Sequence, residues 1–259
     1  MPQRFSQYVA LGDSMSIDLY SALDAGETDV AVALEWNAQA GRVAPIGAAS
    51  LFFSNDDAWY PEFAGKDLAT KFAGITMLNA CEDGATIGDV FGSQLPQVPQ
   101  VEAGDAGTLF TVSMGGNDLL SAFENKRNGN LLASVVRDIG DAYEFLVESL
   151  RRTRPNSSIV LTTVYDPSDG TGKIPGLFDD AGPLPLEFLA QLNARIRAIA
   201  QSLPRTTVAD AHAHFQGHGV SAAEKNRWYW KRSWIEPGAA GANEIRRLWL
   251  DALATMSEN

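Results

Sequence analysis

Short apolar runs alternate along the chain with longer segments in which apolar residues recur at helical spacing. This alternation predicts a parallel β-sheet whose strands are connected by crossover helices. The predicted strands each end in small or polar residues and comprise Tyr8–Leu11, Ile75–Leu78, Leu109–Ser113, Ile159–Val164 and Thr207–Ala209. Helical spacing is found over Leu131–Leu150, Leu186–Leu203 and Ile245–Leu253. The pattern therefore predicts an α/β fold of three layers, with helices on both faces of a five-stranded parallel sheet.

Two segments, at about residues 20–70 and 166–185, lack this periodicity and are rich in Gly, Asp and Pro. We interpret both as loop insertions over the carboxyl edge of the sheet, where long loops usually build the substrate pocket. The sequence contains no internal repeat and no linker that would divide it. A single domain over residues 1–259 is therefore expected.

Composition and charge narrow the possible partners. The 259 residues include 20 Lys and Arg against 32 Asp and Glu, a net charge of −12 that disfavours a nucleic-acid partner. The N-terminal residues lack an apolar leader, and no window reaches the length of a membrane span. Cys81 is the only cysteine, which excludes an intramolecular disulfide and a Cys-rich metal site. These features predict a cytoplasmic protein without a membrane span.

Candidate reactive residues follow three of the predicted strands. The first strand is followed by Gly12–Ser14, the second by Asn79–Thr86, and the third by Gly115–Asp118. Gly-Asp-Ser alone is more often a turn or a helix cap than a reactive site. Because the carboxyl ends of parallel strands meet at one edge, the three segments together predict a shared site. An oxygen nucleophile with N–H donors around it is suited to acyl transfer.

These three segments resemble the sequence blocks of the SGNH (also called GDSL) hydrolases, a flavodoxin-like class of esterases, lipases and carbohydrate deacetylases. Order and rough spacing agree over most of the chain. The resemblance implies that Ser14 is the nucleophile of a carboxylic ester hydrolase. It also implies an oxyanion hole formed by the backbone N–H groups of Ser14 and Gly84 and by the side-chain amide of Asn117. No cofactor and no metal are implied.

The last block of the family, Asp-x-x-His followed by Pro and Gly-Ala, is altered in this chain. Pro237 and the Gly-Ala pair are present, but Ser233 stands in place of the Asp and Glu236 in place of the His. A serine hydroxyl has a pKa far above neutrality and needs a base within hydrogen-bonding reach. The identity of that base is therefore the main question that the sequence raises.

The sequence offers two candidates for the base, a histidine or Glu236, and a metal site as a separate interpretation of the histidines. The histidines lie at positions 212, 214 and 218, after the fifth predicted strand, and we favour His214 and His218, with Glu236 or Asp210 orienting the ring. Glu236 could itself be the base if its surroundings raise its pKa. A zinc or iron site at His212 and His214 is less favoured, because metal-activated water would make the serine and the oxyanion donors superfluous.

The sequence therefore predicts an esterase or acylhydrolase that forms an acyl-enzyme on Ser14 and acts on a small-molecule ester. The alternative is a catalytically silent relative that binds a ligand in the same crevice after losing the family's Asp and His. Neither the acyl chain length nor the oligomeric state can be derived from these residues.

Overall fold

A five-stranded parallel sheet forms the centre of the molecule. The computed structural model describes residues 5–26, 46–99, 107–126, 129–177 and 182–258. The strands are β1 (Phe5–Gly12), β2 (Thr76–Asn79), β3 (Gly107–Ser113), β4 (Ser158–Thr162) and β5 (Thr206–Ala209). Their order is β2-β1-β3-β4-β5 and each neighbouring pair is parallel. The predicted fold class is confirmed.

Helices cover both faces of this sheet. They are α1 (Leu19–Asp24), α2 (Ala48–Phe53), α3 (Leu68–Lys71), α4 (Ile87–Asp89), α5 (Gly116–Lys126), α6 (Gly129–Thr153), α7 (Leu186–Ser202), α8 (Ala211–His214) and α9 (Ala239–Glu258). The three helices predicted from periodicity correspond to α6, α7 and α9. No helix in the described ranges has both the length and the apolar content that a membrane span requires.

The side chains of β1 alternate between two apolar cores, as expected for a strand buried on both faces. Tyr8 and Ala10 lie in the core that contains Trp249 of α9, whereas Val9 and Leu11 lie in the core that contains Tyr143 of α6. The central strand is therefore fixed from both sides. This rigidity determines where the turn after β1 emerges.

The segment predicted as a loop at residues 20–70 contains buried helical structure. Helix α2 is largely buried, and its Phe52 ring packs against Trp249 with centroids 5.6 Å apart. The prediction that this part is an irregular loop over the sheet edge is wrong, because a six-residue helix is too short to show clear periodicity. Residues 27–45 of the segment lie outside the described residues.

The second predicted loop, at residues 166–185, is an ordered turn at its beginning. The Asp166 carboxylate accepts the N–H of Ser168 at 2.9 Å and that of Gly170 at 2.8 Å. Parts of this segment line the cavity described below. Residues 178–181 lie outside the described residues.

Candidate active site

Ser14 lies in the turn that follows β1, and it does not cap a helix. The Asp13 N–H donates to the Ser113 carbonyl oxygen at 2.9 Å, and the Asp13 carboxylate accepts the Met15 N–H at 3.0 Å. Helix α1 begins only at Leu19. Ser14 is 8% exposed and lines a cavity at the carboxyl edge of the sheet. The turn therefore presents the hydroxyl to an enclosed site.

A buried glutamine fixes the backbone just before this turn. Gln94 lies in the π-helical turn Val90–Gln94, and its amide accepts the Gly12 N–H and donates to the Gly12 carbonyl, both at 2.8 Å. The two bonds resemble the pairing of an additional strand. A Cβ atom at position 12 would lie 1.8 Å from the Ser113 carbonyl oxygen, so glycine is required there. Gln94 is a positioning residue that no sequence motif indicated.

Replacing Gln94 with leucine is expected to lower kcat for an activated ester by about tenfold while KM changes little. The substitution leaves the buried Gly12 N–H without its partner and removes one of two donors to the Gly12 carbonyl, which keeps the Glu82 N–H at 3.1 Å; this loosens the turn that carries Ser14. Steady-state kinetics on the folded variant test this. Gln97→Leu is the matched control, because Gln97 is exposed and donates to the Ser93 carbonyl at 3.1 Å. An unchanged kcat in a folded Gln94→Leu protein would remove the positioning role.

Asn117 lies in the first turn of α5 and holds the loop that follows β2. Its Nδ2 donates to the Ala85 carbonyl oxygen at 3.0 Å, and the neighbouring Asp118 accepts the Ile87 N–H at 3.2 Å. A primary amide has two N–H bonds, so the second can donate into the cavity that Asn117 lines. Gly84 lies in the same loop at φ +71°. It is exposed and is not among the residues that line the cavity.

Glu236 approaches Ser14 from the loop that precedes α9. Its carboxyl group lines the same cavity as Ser14 and is near enough to interact with the Ser14 hydroxyl, and its residue surface is only 6% exposed. The backbone around it is fixed, since the Tyr165 hydroxyl donates to the Ile235 carbonyl at 2.7 Å and the Trp230 N–H donates to the Glu236 carbonyl at 2.9 Å. Its Oε2 atom is buried without a hydrogen-bond partner among the described residues.

Burial determines the protonation of the two carboxyl groups that flank Ser14. It raises the pKa of Glu236 to about 7, an effect opposed by the nearby Ser14 hydroxyl and increased by the charge of Asp83. Burial also raises the pKa of Asp13 to about 8; the Met15 N–H opposes this, and the charge of Glu236 adds to it. A carboxyl group whose pKa lies near neutrality can accept and return a proton at neutral pH.

The predicted histidines do not lie at Ser14. Asp210 caps the short helix α8 instead of continuing β5, and this turns the chain. His214 on α8 has its Nε2 atom 2.8 Å from the Glu244 carboxylate. His218 stacks on Trp228 with centroids 3.5 Å apart, and its Nδ1 lies 2.7 Å from the Asn226 carbonyl oxygen. Neither ring lines the cavity.

Two carboxylates, Glu236 and Asp210, were proposed to orient these histidines. Glu236 lies beside Ser14, away from both rings, and Asp210 pairs with an arginine. Asp210 is bound by Arg197 at 2.8 Å, so it orients no imidazole at Ser14. Burial and the charge of Arg197 lower the pKa of His212. Within the described ranges, no three His, Cys, Asp or Glu side chains are grouped in a way that could hold a metal ion. The structure thus brings together Ser14, Asn117 and Glu236, and separates them from His214 and His218.

Comparison with known proteins adds a family and a shared fold. The sequence profile of the GDSL-like Lipase/Acylhydrolase family matches residues 10–242. No curated protein matches the sequence. An extracellular lipase from Streptomyces rimosus is 19% identical, with 95% of this chain and 99% of that chain covered and a TM-score of 0.53. A catalytic mutant of the acetylxylan esterase Axe2 from Geobacillus stearothermophilus is 15% identical, with coverages of 97% and 95% and a TM-score of 0.58.

Proposed function

We propose that this chain, which belongs to the GDSL-like lipase/acylhydrolase family, hydrolyses carboxylic esters with Ser14 as nucleophile and Glu236 as general base. Membership of this family indicates the reaction class, the hydrolysis of an ester. The observation that carries it is the position of the buried Glu236 carboxyl group beside Ser14 in the lining of one cavity, near enough for the hydroxyl to lower the pKa of that carboxyl. Glu236 takes the place of the family's histidine in sequence, and the contact supports the same role in space.

In the first half of the reaction, the Ser14 hydroxyl oxygen attacks the ester carbonyl carbon while Glu236 accepts the hydroxyl proton. The negative charge that develops on the carbonyl oxygen is stabilised by the second N–H of the Asn117 amide and by the backbone N–H of Ser14. The predicted third donor, Gly84, is exposed and outside the cavity lining, so its N–H is left out of this set. The tetrahedral intermediate then expels the alcohol, which takes the proton from Glu236. The products of this half are the free alcohol and an acyl-enzyme on Ser14.

In the second half, Glu236 accepts a proton from a water molecule that attacks the acyl carbonyl carbon. The new tetrahedral intermediate releases the carboxylic acid, and Glu236 returns the proton to the Ser14 oxygen. One carboxyl group thus transfers the proton in both directions. A pKa of about 7 suits this work, because an ordinary carboxylate is too weak a base and a much stronger one would return the proton too slowly.

A serine-directed fluorophosphonate tests the nucleophile directly. We expect stoichiometric labelling, measured as an increase in intact mass, with the modified peptide containing Ser14. Pre-incubation with a substrate ester should slow the labelling. An unmodified protein, or a label at another serine, would contradict the proposal and favour a silent ligand-binding relative.

Replacing Asn117 with alanine is expected to lower kcat by about a hundredfold to a thousandfold with a smaller effect on KM. The amide would act on the charge that develops in the transition state, so substrate binding should depend on it less. Steady-state kinetics with a p-nitrophenyl ester measure both constants. An effect confined to KM would place Asn117 in ground-state binding instead.

A further inference from the structure

The cavity that begins at Ser14 is divided into a polar end and an apolar end. It contains about 830 Å³ of empty space, with solvent at its mouth included. Asp13, Ser14, Asn117 and Glu236 supply polar groups at the reactive end. Almost all the other lining side chains are apolar and come from α5, α6, the loop after β4 and the start of α7.

Part of this apolar lining takes no part in the packing of the cores. Leu120, Leu186 and Ile235 line the cavity, yet they belong to none of the apolar clusters found among the described residues. Phe123 and Leu132 also line it, and they form a small separate cluster with Ala122. Apolar surface of this kind, half-buried in a cavity but not packed into a core, is favourably covered by an apolar ligand.

The lining offers no cationic side chain that could bind an anionic ligand in this space. The lining residues include the carboxyl groups of Asp13, Asp166 and Glu236, and no Lys, Arg or His is found among those described. The Asp166 carboxylate is already bonded to the N–H groups of Ser168 and Gly170, so it offers little to a sugar hydroxyl. The lining therefore favours a neutral hydrocarbon ligand over a dicarboxylic acyl group or a sugar.

We propose that this cavity binds the acyl chain of a neutral fatty-acyl ester, and that the chain favours such esters over acetyl esters. The inference rests on the proposed function of Ser14, because the acyl carbonyl must lie at that residue for the hydrocarbon to extend along Leu120 toward Phe123. The alcohol group of the ester then leaves through the solvent-filled mouth of the cavity. The acyl chain, rather than the alcohol, then determines selectivity.

A chain-length series of p-nitrophenyl esters from acetate to decanoate tests this proposal. For the unmodified protein we expect kcat/KM to rise with chain length, by up to about fourfold for each methylene group that is buried. Leu120→Trp fills the cavity without removing a core contact. It should lower kcat/KM for decanoate by at least about tenfold and change that for acetate by less than about threefold.

Glu124→Trp is the matched control, because Glu124 is exposed one turn further along α5 and is not among the lining residues. It should leave the chain-length profile unchanged. Acetate preferred over decanoate, or a profile that Leu120→Trp does not alter, would overturn the acyl-chain proposal and leave the role of Ser14 intact.

A binding measurement separates this proposal from the catalytic one. Calorimetric titration of the Ser14→Ala protein with methyl decanoate should show saturable binding at one site, weakened at least about tenfold by adding Leu120→Trp. If the Ser14→Ala protein binds methyl decanoate in this way but the unmodified protein hydrolyses no ester, the acyl site is supported and the hydrolase mechanism is refuted. No binding of methyl decanoate would overturn the acyl site whatever the activity.

Discussion

Ser14→Ala is expected to lower kcat for a p-nitrophenyl ester by at least about a thousandfold while the fold is retained. The substitution removes the oxygen that would form the acyl-enzyme. The turn around it does not depend on that oxygen, because its bonds come from the backbone and carboxylate of Asp13. Steady-state kinetics and thermal unfolding of the two proteins measure the two effects separately.

Ser16→Ala is the control for removing a hydroxyl from the same turn. The Ser16 Oγ lies 2.6 Å from the Ser113 Oγ and is buried away from the cavity lining. This variant should lose some stability and keep most of its kcat. If Ser14→Ala retained the rate of the unmodified protein, the nucleophile would have to be another group, and the whole mechanism above would fail.

The fold could be predicted from the sequence because its signals are local and repeated. The central strands β1, β3 and β4 are largely buried and mostly apolar, the edge strands β2 and β5 are shorter and only partly buried, and α6 and α7 carry long periodic stripes. Each element could therefore be identified without knowledge of its neighbours. Helix α2 could not be identified in this way. Four of its six residues are buried, and its Phe52 packs against Trp249 of α9, which lies about two hundred positions away in the chain.

The site was predictable only where a motif identifies the residue. Ser14 and Asn117 follow strands that are neighbours in the sheet, so their proximity follows from the topology. The histidines follow β5 at the far edge of the sheet, and their distance from β1 depends on how the chain turns at Asp210. Gln94 binds Gly12 from a π-helical turn that has no distinctive sequence pattern.

Glu236→Gln is expected to lower kcat by about a hundredfold to ten-thousandfold, because the amide cannot accept the Ser14 proton. In the unmodified protein, kcat/KM should rise with pH through an apparent pKa near 7, the value to which burial raises Glu236. A histidine base would give a similar profile, so the pH dependence alone does not identify the residue. The variants at position 236 and at the histidines do.

His214→Ala and His218→Ala are the matched controls for this prediction. Both rings are bonded to groups outside the cavity, His214 to Glu244 and His218 to the Asn226 carbonyl. We expect each variant to retain kcat within about tenfold, with any loss arising from local stability. Full activity in Glu236→Gln together with inactivity in one histidine variant would transfer the role of base to that histidine.

Glu236→Gln should also stabilise the protein at high pH, which separates loss of catalysis from loss of fold. The pKa of Glu236 is raised on folding from 4.5 to about 7, so the native state holds more protons than the unfolded chain between these values. Stability therefore falls as pH rises through this interval, by as much as about 3 kcal/mol above pH 7. Glutamine cannot ionise, so the Glu236→Gln protein does not lose this stability. Its melting temperature should exceed that of the unmodified protein by several degrees at pH 8 and by little at pH 5. A destabilised Glu236→Gln protein at pH 8 would mean that the carboxylate is stabilised by its surroundings, and a base with a raised pKa would then be the wrong description of Glu236.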